Sequence, residues 1–264
     1  MRERTALVLG GTSGIGLGIA RRLAADGARV TVASRDPDRA ARTARDLRSA
    51  LPDAAVSGIG LDLGRPETIR DALRAHGDRD GPAGGGAFDV VVLNGPGHRP
   101  GPVTEATPED FADAYRTMFL SLKQVVDSVV DGMRARRWGR LLYVSSSSVV
   151  TPLDELAVSS VVRAAVQTYL KLLANALAAD GITVNSVVPG RIDTPRVRTV
   201  DAARATARGV AAEQVRGEAE RRIPAGRYGT PEEVGELAAF LCSERAGYVT
   251  GSAFRCDGGM IAAV

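Results

Sequence analysis

Seven short runs of apolar and β-branched residues recur along this chain, separated by longer segments with apolar residues every three or four positions. The short runs predict buried strands, and the longer segments predict amphipathic helices. Strands that alternate with helices form a parallel sheet, because each helix carries the chain back to the edge where the next strand begins. The predicted strands span residues 5–10, 29–34, 55–60, 88–93, 139–145, 182–188 and 252–257.

Several predicted strands are apolar on both faces, as in the sequence VVVL within residues 88–93. Such strands lie in the middle of a sheet that helices cover on both sides. A length of 264 residues suits one sizeable core rather than two. We therefore predict one doubly wound α/β domain over residues 1–264, with a seven-stranded parallel sheet and helices on both faces.

Two stretches lack a clear period. Residues 76–86, HGDRDGPAGGG, have the composition of a flexible surface loop. Residues from 191 to about 223 are rich in Arg, Ala and Glu and follow the sixth predicted strand. A long insertion at this place is expected to form a lid over a substrate.

The composition is that of a folded protein, with 44% apolar and 25% charged residues. The net charge is only +3, and the basic run at residues 134–140 falls where a helix should end, so we expect no nucleic acid partner. The sequence shows neither the apolar region of a signal peptide nor an apolar stretch of ~18 residues. We therefore expect no membrane partner. Cys242 and Cys256 have neither metal-site nor disulfide spacing, so both are predicted to be small core residues. We therefore expect a cytoplasmic protein without a metal.

The sequence LVLGGTSGIG places Gly10, Gly14 and Gly16 between the first predicted strand and an amphipathic helix. Glycines at these positions allow a tight turn and a close approach of the main chain to a pyrophosphate. The following helix offers that anion free N–H groups and the positive end of its dipole. The motif predicts a Rossmann-type site for a dinucleotide.

Further motifs follow in order: LDL with Asp62, LNGPG with Asn94, a run of four serines, and VNSVVPG after the sixth strand. With them, the chain resembles the short-chain dehydrogenase/reductase family over nearly its whole length. The resemblance implies that Asp62 contacts the adenine and that the segment around Asn94 lines the cofactor. It also implies that Pro189, Gly190 and Thr194 flank the nicotinamide. The implied cofactor-binding residues are Gly10, Thr12, Ser13, Gly14, Ile15, Gly16, Asp62, Leu63, Asn94, Gly95, Arg163, Pro189, Gly190, Ile192 and Thr194.

The end of the second predicted strand, in VTVASRDPDR, bears on the choice of cofactor. An acidic residue there would bond the adenosine ribose and repel a 2′-phosphate. Ser34 and Arg35 instead offer a hydroxyl and a guanidinium that suit this phosphate. The sequence therefore favours NADP(H). The alternative is that Arg35 is a solvated loop residue that binds no phosphate.

The catalytic positions depart from the family. Members use Asn, Ser, Tyr and Lys, and the corresponding residues here are Met118, Ser146, Ser159 and Arg163. Only the serine is retained. The chain therefore resembles a divergent branch in which Ser-x-x-x-Arg occupies the place of Tyr-x-x-x-Lys.

Ser159 and Arg163 share one helical face because they are four residues apart. A serine lacks the reach and acidity of a phenol, and an arginine holds its proton too tightly to relay it. Neither side chain replaces the lost proton donor. We expect Arg163 to bond the ribose, and Ser146 and Ser159 to bind the substrate oxygen.

Other side chains are candidates for the proton donor. Histidines exchange protons near neutral pH, and His98 follows LNGPG on a loop that should border the nicotinamide. A plain surface histidine is the alternative. Tyr143 and Tyr169 do not match the lost phenol and are predicted to be core residues. Asp154 and Glu155 are expected to supply charge at a helix N-terminus or to line the pocket.

Three functions stay open. The first is an NADPH-dependent reductase acting on a carbonyl, conjugated alkene or imine of a small organic substrate, such as a secondary metabolite. Conjugate reduction suits the site better than ketone reduction, because hydrogen bonds alone can stabilise an enolate. The second is a non-redox cyclase, dehydratase or isomerase, and the third is a catalytically silent subunit.

The C-terminal sequences TPEEVGELAAFLCSE and GSAFRCDGG predict an amphipathic helix and an edge strand. An edge strand presents unpaired N–H and C=O groups that a second copy of the chain can cover. We therefore expect a homodimer or homotetramer.

Overall fold

A computed structural model describes residues 1, 3–80 and 88–263. Within these residues, seven strands form one parallel sheet in the order β3-β2-β1-β4-β5-β6-β7, which confirms the predicted doubly wound fold. The strands are β1 Thr5–Leu9, β2 Arg29–Ser34, β3 Val56–Gly60, β4 Val90–Leu93, β5 Gly139–Val144, β6 Ile182–Pro189 and β7 Ala253–Cys256.

The strand order reverses beside β1. The chain builds β2 and β3 outward on one side and then crosses to place β4 on the other. In a doubly wound sheet this reversal leaves a crevice at the carboxyl ends of the strands. Leu9 of β1 is level with Ala33 of β2, and Val8 is level with Val92 of β4. The three strands therefore end together at this crevice.

Helices cover both faces of the sheet. Their bounds are α1 Gly14–Ala25, α2 Pro37–Ala50, α3 Pro66–Asp80, α4 Pro108–Ala114, α5 Ser121–Ala135, α6 Ala157–Leu177, α7 Pro195–Arg208, α8 Ala212–Glu220 and α9 Pro231–Cys242. On one face, α1, α2 and α9 share a core with Val8 and Val32. On the other, α3, α5 and α6 share a second core with Leu7 and Leu9. Successive side chains of β1 enter opposite cores, as the pleat of a strand requires.

The predicted loop at residues 76–86 is wrong over its first five residues, because α3 continues to Asp80. His76, placed in that loop by its composition, lies in the helix and stacks on Phe88 with ring centroids 6.0 Å apart. Its Nε2 also lies 3.0 Å from the Thr31 hydroxyl. These tertiary contacts outweigh the local preference for a loop. Residues 81–86 lie outside the described part of the chain.

The stretch from 191 to about 223 is not irregular but contains α7 and α8. Thr194 caps α7 through a hydrogen bond from the Val197 N–H at 3.3 Å, and Gly209 ends the helix with a φ of 64°. The lid function of this segment stays a prediction. Over residues 1, 3–80 and 88–263, no helix is long and apolar enough to cross a bilayer.

The C-terminal elements form as predicted. Helix α9 begins with a capping box between Thr230 and Glu233, and β7 occupies the edge of the sheet beside β6. Cys242 is fully buried, as expected for a core residue, and burial raises the pKa of its thiol to about 12. Cys256 is only partly buried, on the edge strand.

Candidate active site

The crevice at the carboxyl ends of the strands is a cleft of about 730 Å³. It lies where the strand order reverses, the usual place for a ligand in this type of sheet. The predicted site residues in its wall are Gly10, Ser13, Gly14, Ile15, Ser34, Arg35, Asp62, Leu63, Asn94, Gly95, His98 and Thr194.

The glycine loop after β1 takes a shape that other residues would resist. Gly10 and Gly14 have φ values of 58° and 52°, in the left-handed region that favours glycine. A Cβ on Gly16 would overlap the carbonyl oxygen of Gly10 and lie 2.8 Å from the Asn94 amide nitrogen. The Ser13 side chain makes no capping hydrogen bond, which leaves the first N–H groups of α1 available to an anion.

The end of β2 carries the residues predicted to select the cofactor. Arg35 is exposed in the cleft wall and, within the described ranges, pairs with no carboxylate. Asp36 is committed to capping α2, because its carboxylate accepts the Arg39 N–H at 3.0 Å. The Ser34 hydroxyl accepts the Asp36 N–H at 3.2 Å. Among the described residues that line this end of the cleft, Arg35 is therefore the cation without a carboxylate partner.

Polar side chains join the cleft walls. The Asn94 amide donates to the Leu9 carbonyl at 3.1 Å, which ties the end of β4 to the glycine loop. An Asp62 carboxylate oxygen accepts the Gly64 N–H at 2.9 Å. The Cγ2 of Thr194 lies 3.1 Å from the position of a Cβ on Gly14, so Thr194 covers the loop from the far side.

Six other residues predicted to bind the cofactor are not in this wall, nor are the predicted catalytic residues Ser146 and Ser159. Thr12 lines a neighbouring cavity between α1 and α2. Gly190 donates its N–H to the Cys256 carbonyl at 3.0 Å, and Ile192 is buried against Gly229. The six are Thr12, Gly16, Arg163, Pro189, Gly190 and Ile192.

Ser159 and Arg163 of α6 both hold the loop that follows β4. The Ser159 hydroxyl is buried and accepts the His98 N–H at 2.9 Å. One turn further along α6, Nη2 of Arg163 donates to the Pro96 carbonyl at 3.4 Å. Its Nη1 lies 3.2 Å from the Tyr143 hydroxyl and 3.3 Å from the Val144 carbonyl. The structure therefore gives these two side chains protein partners, and the ribose and substrate contacts expected from the sequence stay predictions.

Tyr143 is buried on β5, as predicted for a core residue. Burial raises the pKa of its phenol, and the neighbouring Arg163 guanidinium opposes that rise. Tyr169, also predicted to be core, is partly buried and stacks at a tilt on Phe119. Burial raises the pKa of Tyr169 to about 12.

Ser146, the retained serine, caps a short 3₁₀ turn at Ser147–Val149. Its hydroxyl oxygen lies 3.2 Å from the Ser148 N–H nitrogen and 3.0 Å from the Ser148 hydroxyl. Met118, at the position of the family asparagine, is buried in the π-helical turn Tyr115–Leu120 that joins α4 to α5. Both positions are thus built into the helical frame around the cleft.

His98 lies in the cleft wall beside Asp110 of α4. Its Nε2 is 3.5 Å from Oδ1 of Asp110, and the two side chains are 15% and 12% exposed. Asp110 also accepts the Thr107 N–H at 3.0 Å and pairs with Arg99 at 2.8 Å. The backbone hydrogen bond from Thr107, with the Arg99 contact, lowers the pKa of Asp110. The carboxylate beside His98 is therefore kept ionised.

Known proteins resemble this chain over nearly its whole length. Residues 10–261 match the family described as enoyl-(acyl carrier protein) reductase. The D-beta-hydroxybutyrate dehydrogenase of Cupriavidus necator is 32% identical over 264 residues, with 99% of each chain covered. The 3-oxoacyl-(acyl-carrier-protein) reductase of Vibrio cholerae is 30% identical over 260 residues, with 98% of each chain covered. The chain belongs to the short-chain dehydrogenase/reductase family.

A solved structure gives the same result for the fold. The L-sorbose reductase from Gluconobacter frateurii, complexed with NADPH and L-sorbose, matches with a TM-score of 0.92 at 30% identity. The match covers 100% of this chain and 98% of that chain. The family resemblance noted from the sequence motifs is thus confirmed, and the chain is an oxidoreductase of the short-chain dehydrogenase/reductase type.

This short-chain dehydrogenase/reductase has a second cavity, of about 680 Å³, between α7, α8 and the segment after β5. Two ion pairs border it: Arg204 with Glu155, and Arg208 with Glu218 at 2.7 Å. Glu155 therefore lines this cavity and not the cleft at the strand reversal. Arg222 also lines the cavity and has no carboxylate partner in the part of the chain that the structure describes.

The sequence did not point to Asp110 or to Arg196 as members of the site. The pattern Thr107-x-x-Asp110 before a helix predicts a capping box, and the structure has one. Nothing in that local pattern reveals the contact with His98, which depends on how α4 packs. Arg196, at the start of α7, lines the cleft and brings Nη2 within 3.0 Å of the position of a Cβ on Gly97.

Proposed function

We propose that this chain is an NADPH-dependent reductase that delivers hydride to a conjugated alkene or carbonyl of a small organic substrate. The observation that carries the proposal is the cleft at the strand reversal, with a glycine loop in its wall and the exposed Arg35 at the end of β2. The similar L-sorbose reductase is complexed with NADPH in its crystal structure. This supports the same cofactor here.

The residues of the cleft fit this cofactor. The left-handed turns at Gly10 and Gly14, and the free N–H groups of α1, suit a pyrophosphate. Ser34 and Arg35 suit the 2′-phosphate, and Asp62 suits the adenine end. When bound, NADPH supplies a hydride to carbon. The protein's own task is to hold the substrate, stabilise the developing anion and provide a proton.

The missing phenol favours conjugate reduction over simple ketone reduction. A ketone needs a proton at oxygen as the hydride arrives, and the Ser159 hydroxyl lacks the reach and acidity of a phenol. In an enone the hydride adds to the β-carbon, and the resulting enolate needs hydrogen bonds before a proton reaches it. Of the two reactions, conjugate reduction therefore depends less on a phenol as proton donor.

The second cavity supports a lid role for the segment from 191 to about 223. Helices α7 and α8 form one wall, and Ser147, next to the retained Ser146, contributes to the other. A small substrate in this cavity would lie beside Ser147, the sequence neighbour of the retained serine. We further propose a homodimer or homotetramer formed through the edge strand β7 and helix α9.

The test pairs cofactor binding with turnover. NADPH and NADH are titrated by their fluorescence, and NADPH oxidation is then followed with 2-cyclohexenone and with cyclohexanone as a matched saturated control. We expect tighter binding of NADPH and consumption of the enone. Turnover of cyclohexanone alone would contradict conjugate reduction, and absence of NADPH binding would favour a non-redox or silent protein. If light scattering gives the molar mass of a monomer at micromolar concentration, the proposed dimer or tetramer is contradicted.

A further inference from the structure

Several contacts hold the loop that follows β4 and carries His98. Asn94 anchors the start of the loop to β1, and Arg163 bonds the Pro96 carbonyl. Ser159 accepts the His98 N–H, and Arg99 is held by Asp110. The two α6 residues at the Tyr-x-x-x-Lys positions therefore hold, from one helical face, the loop that carries His98.

His98 is held in one orientation by its neighbours. Its Nε2 faces the ionised Asp110, and such a carboxylate favours the proton on that nitrogen. Nδ1 is left as the nitrogen that exchanges a proton. It is buried and, within the residues described, has no hydrogen-bond partner. A buried polar nitrogen without a partner is costly in a purely structural role, whereas a ligand in the cleft that His98 lines can satisfy it.

We propose that His98 protonates the substrate, with Asp110 as the positioning residue for its imidazole and the Ser159–Arg163 pair as the positioning residues for its loop. The proposal rests on the proposed reductase function and adds the source of the proton. The site thus replaces a phenol on α6 with an imidazole on the neighbouring loop.

The step balances in atoms and electrons. The β-carbon of the conjugated substrate accepts a hydride from NADPH, and the alkene electron pair moves to give an enolate and NADP⁺. The protonated His98 gives the proton on Nδ1 to this enolate, so a new C–H or O–H bond forms and the N–H bond breaks. The neutral imidazole then takes a proton from solvent. The sum is substrate, NADPH and one proton giving reduced substrate and NADP⁺.

Four charged groups face His98 from the elements around it. Asp110 lies on α4, and Arg99 lies on the same loop and is already paired with Asp110. Arg163 reaches the loop from α6 through Pro96, and Arg196 reaches it from α7 beside Gly97. Among these four groups, Asp110 is the one that stabilises a proton on the imidazole.

The first experiment reads the proton on His98 without any turnover. The chain has two histidines, so His76→Gln leaves His98 as the single ¹⁵N-labelled histidine, whose two ring nitrogens report the tautomer. We expect the neutral ring to carry its proton on Nε2, and Asp110→Asn to shift the tautomer towards Nδ1. Thr107→Ala is the matched control, because it removes the helix cap but keeps the carboxylate. Should His76→Gln fail to fold, comparing the spectrum of the natural sequence with that of His98→Gln identifies the same signal.

The second experiment measures turnover of 2-cyclohexenone with NADPH. His98→Gln is expected to lower kcat by roughly 10²- to 10⁴-fold, the usual effect of losing a general acid. It should also remove the alkaline limb of the pH profile. Ser159→Ala should lower kcat more than it changes KM, and Ser159→Thr should restore activity because it keeps the hydroxyl that accepts the His98 N–H.

The outcomes separate the two proposals. Full activity and an unchanged pH profile in His98→Gln would overturn the role of His98 while the reductase function stands. A neutral ring protonated on Nδ1, or a tautomer indifferent to Asp110→Asn, would also overturn it. If the folded protein fails to oxidise NADPH whichever enone or ketone is supplied, the proposed function itself is overturned.

Discussion

Replacing Arg35 with alanine is expected to weaken NADPH binding and to leave NADH binding unchanged. Arg35 is exposed in the cleft wall at the end of β2 and, in the described residues, has no carboxylate to satisfy. A hydrogen bond to a charged group contributes ~1.5–3 kcal/mol. Because solvent and salt screen an exposed contact, we take about 1.5 kcal/mol, which is roughly a tenfold change in Kd.

The assay is a fluorescence titration of both cofactors at two salt concentrations. Arg45→Ala is the matched control, because Arg45 is also exposed on this side of the sheet but does not line the cleft. It should leave both Kd values unchanged, and the effect of Arg35→Ala should shrink as salt rises. Equal loss of NADPH and NADH affinity would refute a phosphate contact. Unchanged NADPH affinity would show that Arg35 is only a solvated loop residue.

Three further perturbations test the site and its frame. Restoring the family pair, Ser159→Tyr with Arg163→Lys, should lower native kcat and weaken NADPH binding, since a phenol would displace the loop at His98; higher kcat would refute this. Gly16→Ala should abolish NADPH binding in titration, because its methyl would overlap the Gly10 carbonyl. Arg227 and the Thr230 N–H lower the pKa of Glu233 to about 2, so its contribution to stability is lost as pH falls below about 4.5; Glu233→Gln should flatten the acid decline of Tm.

The fold and the cofactor end of the site could be predicted from the sequence because both depend on local requirements. Alternating strand and helix periods specify a parallel sheet, since each element must bury its own apolar face. The positions of Gly10 and Gly14 demand left-handed backbone that glycine supplies most easily. At residues 76–80 the composition predicted a loop, but α3 continues to Asp80, and His76 stacks on Phe88 there.

The sequence by itself determined the sheet and pointed to the family, and it predicts Ser159 and Arg163 at the places of the family Tyr and Lys. The tertiary structure decided which groups these two side chains meet. Ser159 and His98 are 61 positions apart, and their hydrogen bond exists only because α6 packs beside the loop after β4. The contact between His98 and Asp110 likewise depends on the docking of α4. Periodicity and spacing specify which face of an element is buried, but the partner that meets a polar group is set by the packing of distant elements.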